Sequence, residues 1–439
     1  MEVSAKIKDV TIVRKYPAFR DKFVNGCWRW IEGKRKDDFS EGLWRIHNNL
    51  YDLTDFIIKH PGGKYWLEVT QGTDITEAFE SHHLSTKPEK LLPKYFVREA
   101  KYPRNYFLTY DENGFYRTLK KRVEEKLKSI DKSVTWKSRW VHDINLFVLF
   151  VSAIMANRTE NKFLHKLWIV IAAQCFAWCA MFSHNFFHQA DNWRMYTSNI
   201  SLVSWRDYRV FHILSHHMYT NSFSDFETST FEPYLKWIPT LERTWCYYLR
   251  LIAFIPLLIL SFFHNFWRYR FQGYIWGNEK VFRWDDFLLF TLPLAQILFG
   301  KKMVTLSYLE EIYWGWASIA IPGSILYSII FFNRGHHAPY ITHQNDEIKS
   351  LDFGEYQLST TIDRKEANYN IFTSLAYFGD QTLHHLFPTI DHAILPELRN
   401  ILIKTCKEFD VDLHPETSMI RSTIDQYKQL LRTKIIRCS

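Results

Sequence analysis

The chain has 439 residues, 17% of them aromatic, and a formal net charge of +8 at pH 7. Its 15 glycines and 14 prolines are too few for a collagen-like, low-complexity or largely disordered protein. Six cysteines spread over this length make no paired framework, which argues against a secreted protein built on disulfides. The classes that remain are a globular or a membrane protein in a reducing compartment.

The positive charge suits either nucleic acid or an anionic membrane surface. No zinc-finger spacing, RNA-binding aromatic motif or basic helix-turn-helix pattern is present, so we expect no nucleic-acid partner and favour a lipid bilayer. The opening residues, MEVSAKIKDV, lack the apolar core of a secretory signal. We therefore expect the amino-terminal part to stay in the cytosol.

Five regions follow one another along the chain. Residues 1–24 are a basic lead-in that we predict to be poorly structured, and residues 25–100 have the short apolar runs and turn residues of a compact soluble domain. Residues 101–135 form a connector that becomes strongly basic towards its end. Apolar stretches then alternate with histidine-bearing ones over residues 136–415, and residues 416–439 are a polar tail.

Two histidines mark a candidate haem site in the soluble domain. His60 begins a His-Pro-Gly-Gly turn, and His83 follows 23 residues later at the end of a second helical pattern. Two imidazoles from facing helices can hold a haem iron from both sides and leave no open position, which suits electron transfer rather than oxygen binding. The proline and the glycines turn the chain sharply and let the backbone approach the porphyrin.

This segment resembles the cytochrome b5 haem-binding domain through Trp44, the run at 46–52 and the HPGG box. The resemblance implies an α+β domain that binds haem b, with His60 and His83 as the axial ligands. The spacing of the two histidines is that of cytochrome b5 domains fused to desaturases, since free-standing cytochromes b5 have one residue more. His82 is the neighbouring alternative for the second ligand.

Five apolar stretches follow the connector. Residues 164–182 and 312–332 are 19 and 21 residues long, enough to cross about 30 Å of hydrocarbon as helices. Residues 144–156 and 287–299 have 13 each and could cross only if flanking residues extend them. Residues 247–263 contain an arginine and a proline, so we predict that they lie in the membrane interface or re-enter it. The basic end of the connector marks the cytoplasmic side, with a solvated charged helix face as the alternative.

Histidines are clumped at the ends of these stretches. The boxes are HxxxH at His184 and His188, HxxxHH at His212, His216 and His217, and QxxHH at Gln381, His384 and His385, and a further His337 follows the last apolar stretch. Histidines four residues apart on a helix project from the same face. An isolated histidine beside an apolar stretch is usually a packing residue. About eight histidines clustered at the ends of such stretches are difficult to explain by chance, so we expect them to bind metal.

Neutral imidazole is a good ligand for first-row metals such as iron, and about eight of them would suffice for two ions. Zinc is disfavoured, because no cysteine accompanies the boxes and the ligands exceed four. Metal-bound imidazoles also need carboxylate or carbonyl partners that orient their rings. The unranked candidates for that role are Asp207, Asp225, Glu227 and Asp380.

Residues 136–415 resemble the membrane fatty acid desaturase family, in which three histidine boxes bind a di-iron centre that activates oxygen. The resemblance implies an all-α, four-span membrane domain with a cytosolic histidine-box cap and two non-haem iron ions. The fused cytochrome b5 domain and the glutamine that opens the third box are similar to front-end acyl desaturases. Transferred by motif, the metal ligands are His184, His188, His212, His216, His217, His384 and His385, with His337 similar to an extra histidine of some members and Gln381 where other members carry histidine.

Two departures from the front-end pattern limit what the resemblance implies. Asn185 stands where front-end desaturases usually carry aspartate, and the second box is one residue longer than the common HxxHH. Both variants occur in the wider superfamily of desaturases and hydroxylases. The substrate and the position of any double bond are therefore not transferred, and no catalytic residue beyond the metal ligands is predicted.

The boxes can meet at one site only if an even number of spans separates the second from the third. Leaving 247–263 out of the membrane gives four spans, with both termini, the haem and the boxes in the cytosol. Lys301 and Lys302 would then lie in a lumenal loop, against the positive-inside tendency. The family resemblance implies the endoplasmic reticulum membrane.

We expect a haem-fed di-iron oxidoreductase that acts on lipid acyl chains, most simply an acyl desaturase with its own cytochrome b5 electron donor. Its partners would be an acyl-lipid or acyl-CoA substrate and an NADH-dependent cytochrome b5 reductase as the electron source. Two alternatives stay open. One is a lipid hydroxylase on the same iron site, and the other is a haem-binding membrane electron carrier or lipid-binding protein whose box site is inactive.

Overall fold

The structure is a computed structural model that describes residues 12–21, 26–232, 234–249, 261–276, 283–300, 306–332 and 335–437. Most of the stretch at 247–263, and the lysines at 301–302, lie outside the described residues. Within them, an amino-terminal part with a small sheet precedes a mostly helical part.

A three-stranded antiparallel sheet organises the amino-terminal part. Its strands β1 (Trp44–Ile46), β2 (Asn49–Tyr51) and β3 (Phe96–Glu99) are arranged in the order β1-β2-β3. Trp44 is completely buried, and its Nε1 donates to the carbonyl of Leu67 at 3.2 Å, which ties the sheet to helix α2. The α-helices of this part are α1 (Cys27–Asp37), α2 (Lys64–Thr70), α3 (Thr76–His82) and α4 (Lys87–Leu91), with 3₁₀ helices at Ala18–Asp21, Thr54–Lys59 and Leu92–Tyr95.

The second part is helical throughout its described residues apart from turns and isolated bridges. Its α-helices are α5 (Phe115–Ser129), α6 (Trp136–Arg158), α7 (Lys162–Phe187), α8 (Trp205–Tyr208), α9 (His217–Tyr219), α10 (Phe226–Ser229), α11 (Ser261–Asn265), α12 (Gln272–Trp276), α13 (Thr291–Phe299), α14 (Leu306–Phe332), α15 (Phe353–Ser359), α16 (Ile371–Tyr377), α17 (Gln381–Leu386), α18 (Arg399–Phe409) and α19 (Met419–Leu431). Two π-helices lie at Arg209–His216 and Phe266–Phe271. Short 3₁₀ helices occur at Lys132–Thr135, Trp193–Ser201, Trp284–Phe290, Lys365–Asn368 and Leu395–Leu398.

The predicted connector contains a helix that packs into the core. Helix α5 buries Phe115, Tyr116 and Leu119, and the Tyr116 hydroxyl donates to the carbonyl of Leu386 at 3.1 Å. Most charged residues of α5 occupy its other face, as in any amphipathic helix at a surface. This matches the predicted alternative of a solvated charged helix face.

The described part of the lead-in, residues 12–21, is packed rather than poorly structured. Val13 pairs with Tyr106 in an isolated β-bridge, and Arg20 Nη2 lies 2.6 Å from Glu232 Oε1. These contacts attach the lead-in to the helical part.

The four stretches predicted to cross the membrane are helical. Helices α6, α7 and α14 have 23, 26 and 27 residues, and the 3₁₀ helix Trp284–Phe290 precedes α13 directly. Because a 3₁₀ helix rises about 2.0 Å per residue, this segment and α13 together reach roughly 28 Å. Among the described residues, Lys132–Arg158 and Lys162–Phe187 are each long and apolar enough to cross a membrane.

Helix α7 lies between α6 and α14 and carries the first histidine box at its end. Its first half exposes Phe163 and Val170, whereas its second half is largely buried. Gly323 allows α14 to approach closely, since a Cβ there would lie 3.0 Å from the carbonyl oxygen of Ala173. Helix α7 thus runs from an exposed apolar surface into the interior, where His184 lies.

Buried ion pairs attach α3 to the residues after β3 and to the helical part. Arg104 Nε is 2.8 Å from Asp74 Oδ2, and the same guanidinium contacts Glu77. The Tyr219 hydroxyl donates to Glu77 Oε2 at 3.1 Å. Burial acts to raise the pKa of Asp74, but Arg104 and Lys34 outweigh it and hold that pKa below its ordinary value.

Replacing Arg104 with methionine is expected to lower the unfolding temperature at pH 7, because two buried carboxylates lose their cation. Breaking a buried ion pair costs about 3 to 5 kcal/mol. A carboxyl with a depressed folded pKa contributes stability above its unfolded pKa of about 4 and loses it as the pH falls, so the difference between variant and wild type should shrink in acid. Thermal unfolding in detergent, followed by circular dichroism, measures both effects.

The matched control is Lys64→Met, which removes an exposed pair with Glu68 at 3.0 Å. Exposed pairs contribute about 1 kcal/mol or less, so this variant should unfold within about 3 °C of wild type. Equal losses in the two variants would contradict the importance assigned to Arg104.

Candidate functional site

Eight buried histidines from four places in the chain converge in the interior. They come from the end of α7, from the π-helix Arg209–His216 with the start of α9, from α17, and from the turn after α14. Their ligand atoms form two groups, in each of which all such atoms lie within 4.8 Å of one another, and His212 and His216 make a third such group with Glu227. The first cluster is His184, His188, His212, His217 and His384, and the second cluster is His216, His336 and His385.

The ring nitrogens of the first cluster approach one another closely. His184 Nε2 lies 2.8 Å from His212 Nε2 and 3.2 Å from His188 Nε2, and His217 Nε2 lies 3.1 Å from His212 Nε2. Imidazole nitrogens bound at right angles to one metal ion at about 2.1 Å are about 3 Å apart. The spacing therefore fits a shared first-row metal ion.

The second cluster lies against the first. His217 and His385 stack with ring centroids 4.0 Å apart, and the rings of His336 and His385 are 4.4 Å apart. Gln381 Nε2 is 2.8 Å from His336 Nε2, so the glutamine that opens the third box lies at the edge of this group. The arrangement offers three imidazoles and one amide to a second ion.

The two HH pairs are divided between the clusters. Successive residues of a helix project about 100° apart, so His216 and His217 point to different clusters, and His384 and His385 do the same. The π-helix explains the extra residue of the second box. Its hydrogen bonds run from i to i+5, and the His217 N–H donates to the His212 carbonyl, which places both rings in the first cluster.

Carboxylates orient two of these rings from outside. His212 Nδ1 is 2.6 Å from Glu227 Oε2, and His216 Nδ1 is 2.9 Å from Asp225 Oδ2. Both imidazoles thus turn Nε2 towards the clusters, as metal-bound histidines do. Of the other two acidic candidates, Asp380 pairs with Arg399, and Asp207 lies beside Arg270.

Asn185 and His392 form a further supporting pair. His392 Nδ1 donates to Asn185 Oδ1 at 3.0 Å, and Asn185 Nδ2 donates to Asp391 Oδ2 at 2.9 Å. The His392 ring lies 4.7 Å from the His384 ring. The asparagine that departs from the front-end pattern thus holds a histidine beside the first cluster. The only sequence signal for His392 is its position shortly after the third box.

His337 lies outside both clusters, and the neighbouring His336 occupies the second one. The His337 ring stacks on Trp237 at 3.8 Å with an interplanar angle of 6°, and its Nδ1 is 3.4 Å from His343 Nε2. His336 Nδ1 instead donates to the Thr360 carbonyl at 3.1 Å. Adjacent side chains in this turn point in different directions, and motif spacing alone does not select between them.

Burial favours the neutral form of the His217 and His384 rings. It lowers the pKa of His217 and of His384 well below the ordinary value, and neighbouring imidazoles add to the effect. Within the described part of the chain, neither ring nitrogen of His384 has a hydrogen-bond partner, and neither has Nε2 of His216. Neutral nitrogens with lone pairs and no donor are what a metal ion requires.

The haem pocket is a cavity of about 510 Å³ between His60 and His83. The two ring centroids are 6.2 Å apart. Imidazoles on opposite faces of one iron, each at about 2 Å, hold their centroids roughly 6 Å apart. His60 Nδ1 donates to the Gly63 carbonyl at 2.9 Å and His83 Nδ1 to the Phe79 carbonyl at 3.0 Å, so both leave Nε2 for a metal. The residues present fit a bis-imidazole haem.

His82, the alternative ligand, is directed elsewhere. Its Nδ1 is 2.9 Å from the Ala78 carbonyl, and its ring packs against Trp66 at 5.5 Å. It contributes to the cavity wall, whereas His83 makes the ring contact with His60.

The far wall of the haem cavity comes from the helical part. His188, Gln189, Leu214 and Thr389 line it. His188 also belongs to the first cluster. The two candidate sites therefore share one side chain.

Comparisons with known proteins match both parts of the chain. Residues 162–417 match the fatty acid desaturase family, and residues 28–101 match the cytochrome b5-like haem/steroid binding domain. The chain is 41% identical to the cytochrome b5-related protein of Drosophila melanogaster over 425 residues, which cover 96% of this chain and 95% of that protein. It is 24% identical to Delta(5) fatty acid desaturase A of Dictyostelium discoideum, covering 93% of this chain and 90% of that protein. No solved structure gave a significant match.

His83→Ala is expected to remove the low-spin, bis-imidazole signature of the ferric haem, because one face of the iron loses its nitrogen. His82→Ala is the matched control at the adjacent position and should keep that signature. Absorption and electron paramagnetic resonance (EPR) spectra of the purified proteins distinguish the two. The reverse result would assign the ligand to His82.

His336→Ala is expected to lower the non-haem iron from about two ions to about one per chain, because the second cluster keeps only two imidazoles. His337→Ala, the matched control, should retain both ions. Iron analysis corrected for haem measures the difference. Loss of iron in the His337 variant alone would restore the motif-based assignment.

Proposed function

The chain belongs to the fatty acid desaturase family and carries a cytochrome b5-like domain, and from that premise we propose that it is a haem-fed di-iron oxidoreductase of lipid acyl chains. The reaction we infer is oxygen-dependent desaturation. The observation that carries the proposal is the pair of buried histidine clusters, one of which shares His188 with the haem cavity.

Each cluster would hold one iron ion. The first ion would be bound by His184, His188, His212, His217 and His384, and the second by His216, His336 and His385 with Gln381 beside them. When bound, the irons would supply the activation of oxygen and the removal of hydrogen from an unreactive acyl chain.

The protein's own contribution is orientation and the exclusion of water. Glu227 and Asp225 hold the rings of His212 and His216 in the tautomer that turns Nε2 inward. The clustered imidazoles are almost completely buried, so water does not compete for their lone pairs.

His60 and His83 would hold haem b. With an imidazole on each face, the haem would supply one-electron transfer. The cavity wall at His188 would bring it beside the first cluster. An NADH-dependent cytochrome b5 reductase is the electron source that this arrangement suggests, and an acyl-lipid or acyl-CoA is the substrate.

A membrane location is supported by the exposed apolar faces of the long helices. Helix α6 exposes Ile144, Phe147, Val151 and Met155 along one side, as expected of residues that contact lipid. Arg158 Nη1 is 3.5 Å from the Phe299 carbonyl, so α6 and α13 end on the same side, opposite His184. This arrangement supports four spans with both termini and the histidines on one side. The side that we propose is the cytosolic side of the endoplasmic reticulum membrane.

The first test of the proposal is the ratio of total iron to haem in detergent-purified protein. About three irons per haem are expected if both clusters are filled. Haem is measured from its reduced spectrum and total iron by elemental analysis. A ratio near one in folded, iron-supplied protein would contradict a di-iron site.

The second test is the acyl-chain profile of cells that express the protein. His384→Ala should abolish any product of the wild type, because it removes a ligand of the first cluster, whereas His337→Ala should retain the product. If the reaction is desaturation, mass spectrometry should detect acyl chains that are two hydrogens lighter than their precursors. Chains that gain one oxygen instead would overturn desaturation in favour of hydroxylation.

A further inference from the structure

The haem-binding turn touches the segment that follows the first histidine box. Gly63 has a φ of +110°, and a Cβ there would lie 2.3 Å from the Asp191 carboxylate. The Asp191 N–H donates to the Gly62 carbonyl at 3.1 Å. The second glycine of the turn is therefore required both by its backbone conformation and by the presence of Asp191.

Asp191 is paired with a buried arginine. Its Oδ1 lies 2.7 Å from Arg209 Nη1, and the Arg209 side chain is 0% exposed. The guanidinium also lies over the Trp66 ring, 4.3 Å from its centroid, and Trp66 lines the haem cavity. One face of this arginine thus packs against a wall of the haem site.

The same guanidinium binds the backbone on both sides of a metal-cluster histidine. Arg209 Nε donates to the Phe187 carbonyl at 3.0 Å, and Nη2 donates to the Gln189 carbonyl at 3.1 Å. His188 lies between these two residues. The planar guanidinium donates in several fixed directions at once, and a lysine ammonium could not reproduce this set of hydrogen bonds.

These contacts form a continuous path between the two sites. His60 Nδ1 donates to the Gly63 carbonyl at 2.9 Å, Gly63 packs on Asp191, and Asp191 pairs with Arg209, which holds the backbone around His188. We propose that Asp191 and Arg209 are positioning residues that hold the haem-binding turn in register with His188. In this arrangement the haem site keeps a fixed position relative to His188 and does not move on a flexibly linked domain.

The proposal rests on the proposed function for the identity of the two cofactors, but the contacts themselves do not depend on it. If the Asp191–Arg209 pair only stabilised the protein, its loss would lower the stability of the whole fold. A positioning pair acts on the haem turn and on the ligand field of the haem. The test therefore uses readouts confined to that region.

The experiment compares the full-length, haem-loaded wild type with Asp191→Asn, Arg209→Lys and Arg209→Met. Arg209→Lys keeps the charge and serves if the methionine variant does not fold. Amide hydrogen exchange is measured for peptides that cover residues 60–66 and 186–192. The EPR signals and the midpoint potential of the ferric haem are measured on the same samples.

The matched control is Glu232→Gln. It removes an ion pair with Arg20, whose side chain is 3% exposed, and neither of the two residues lines the haem cavity or belongs to a histidine cluster. This control reports the loss of a largely buried pair between the lead-in and the helical part, away from the haem turn.

The Asp191 and Arg209 variants are expected to exchange about tenfold faster at residues 60–66, since local opening loses its main restraint, and to shift the haem EPR signals. Haem and iron contents should stay near wild type, and Glu232→Gln should leave both readouts unchanged. Exchange and spectra equal to those of wild type, or the same change in all four variants, would overturn the positioning role.

Failure of this inference is distinguishable from failure of the proposed function. Exchange and EPR need neither oxygen nor an acyl substrate. A wild type that holds haem but yields no acyl product would contradict the proposed function and leave these readouts intact. Conversely, an active Asp191→Asn variant with wild-type exchange and spectra would overturn the positioning role alone.

Discussion

The burial of neutral imidazoles without hydrogen-bond donors is the constraint on which the rest of the molecule depends. A buried polar atom that finds no partner costs about 1 to 3 kcal/mol, and within the described residues both nitrogens of His384 are in this position. Several other such atoms, His216 Nε2 among them, lie close by in the histidine clusters, where a metal ion would satisfy them. Metal binding would then contribute to the stability of the fold as well as to its chemistry.

Much of the surrounding structure holds these rings in place. Helix α7 brings His184 from an apolar surface into the interior, and the π-helix lets His212 and His217 face the same cluster. Glu227 and Asp225 fix two tautomers from outside. Asn185, which departs from the pattern of front-end desaturases, supports His392 instead of weakening the site.

The two parts of the chain act as one body around the haem cavity. The cavity is lined from both sides, and His188 belongs to its wall and to the first cluster. The buried Glu77 and Glu80 of α3 contact Tyr219 and Lys120, and with the packed helix α5 they join the two parts away from the candidate haem site. An electron donor built into the same interior would need no diffusional encounter, which would give a physical reason for the fusion.

The sequence by itself determined the family, the two kinds of site and the local geometry of each box. Both family resemblances are confirmed by the comparisons. Spacing within one helix is a local property, so it places His184 and His188 one turn apart whatever the rest of the chain does. The cytochrome b5 resemblance, carried in part by the HPGG turn, marked His60 and His83 as partners and left His82 as the alternative.

Only the tertiary structure decided which neighbour faces which partner. His336 and His337 are adjacent in sequence, and the choice between them depends on a stacking contact with Trp237, one hundred residues away. The charge pattern of α5 does not show which distant residues its other face packs against, and the segment before α13 gains length by adopting a 3₁₀ form. Side-chain direction in turns, and the packing of distant helices, are set by long-range contacts that a linear pattern does not contain.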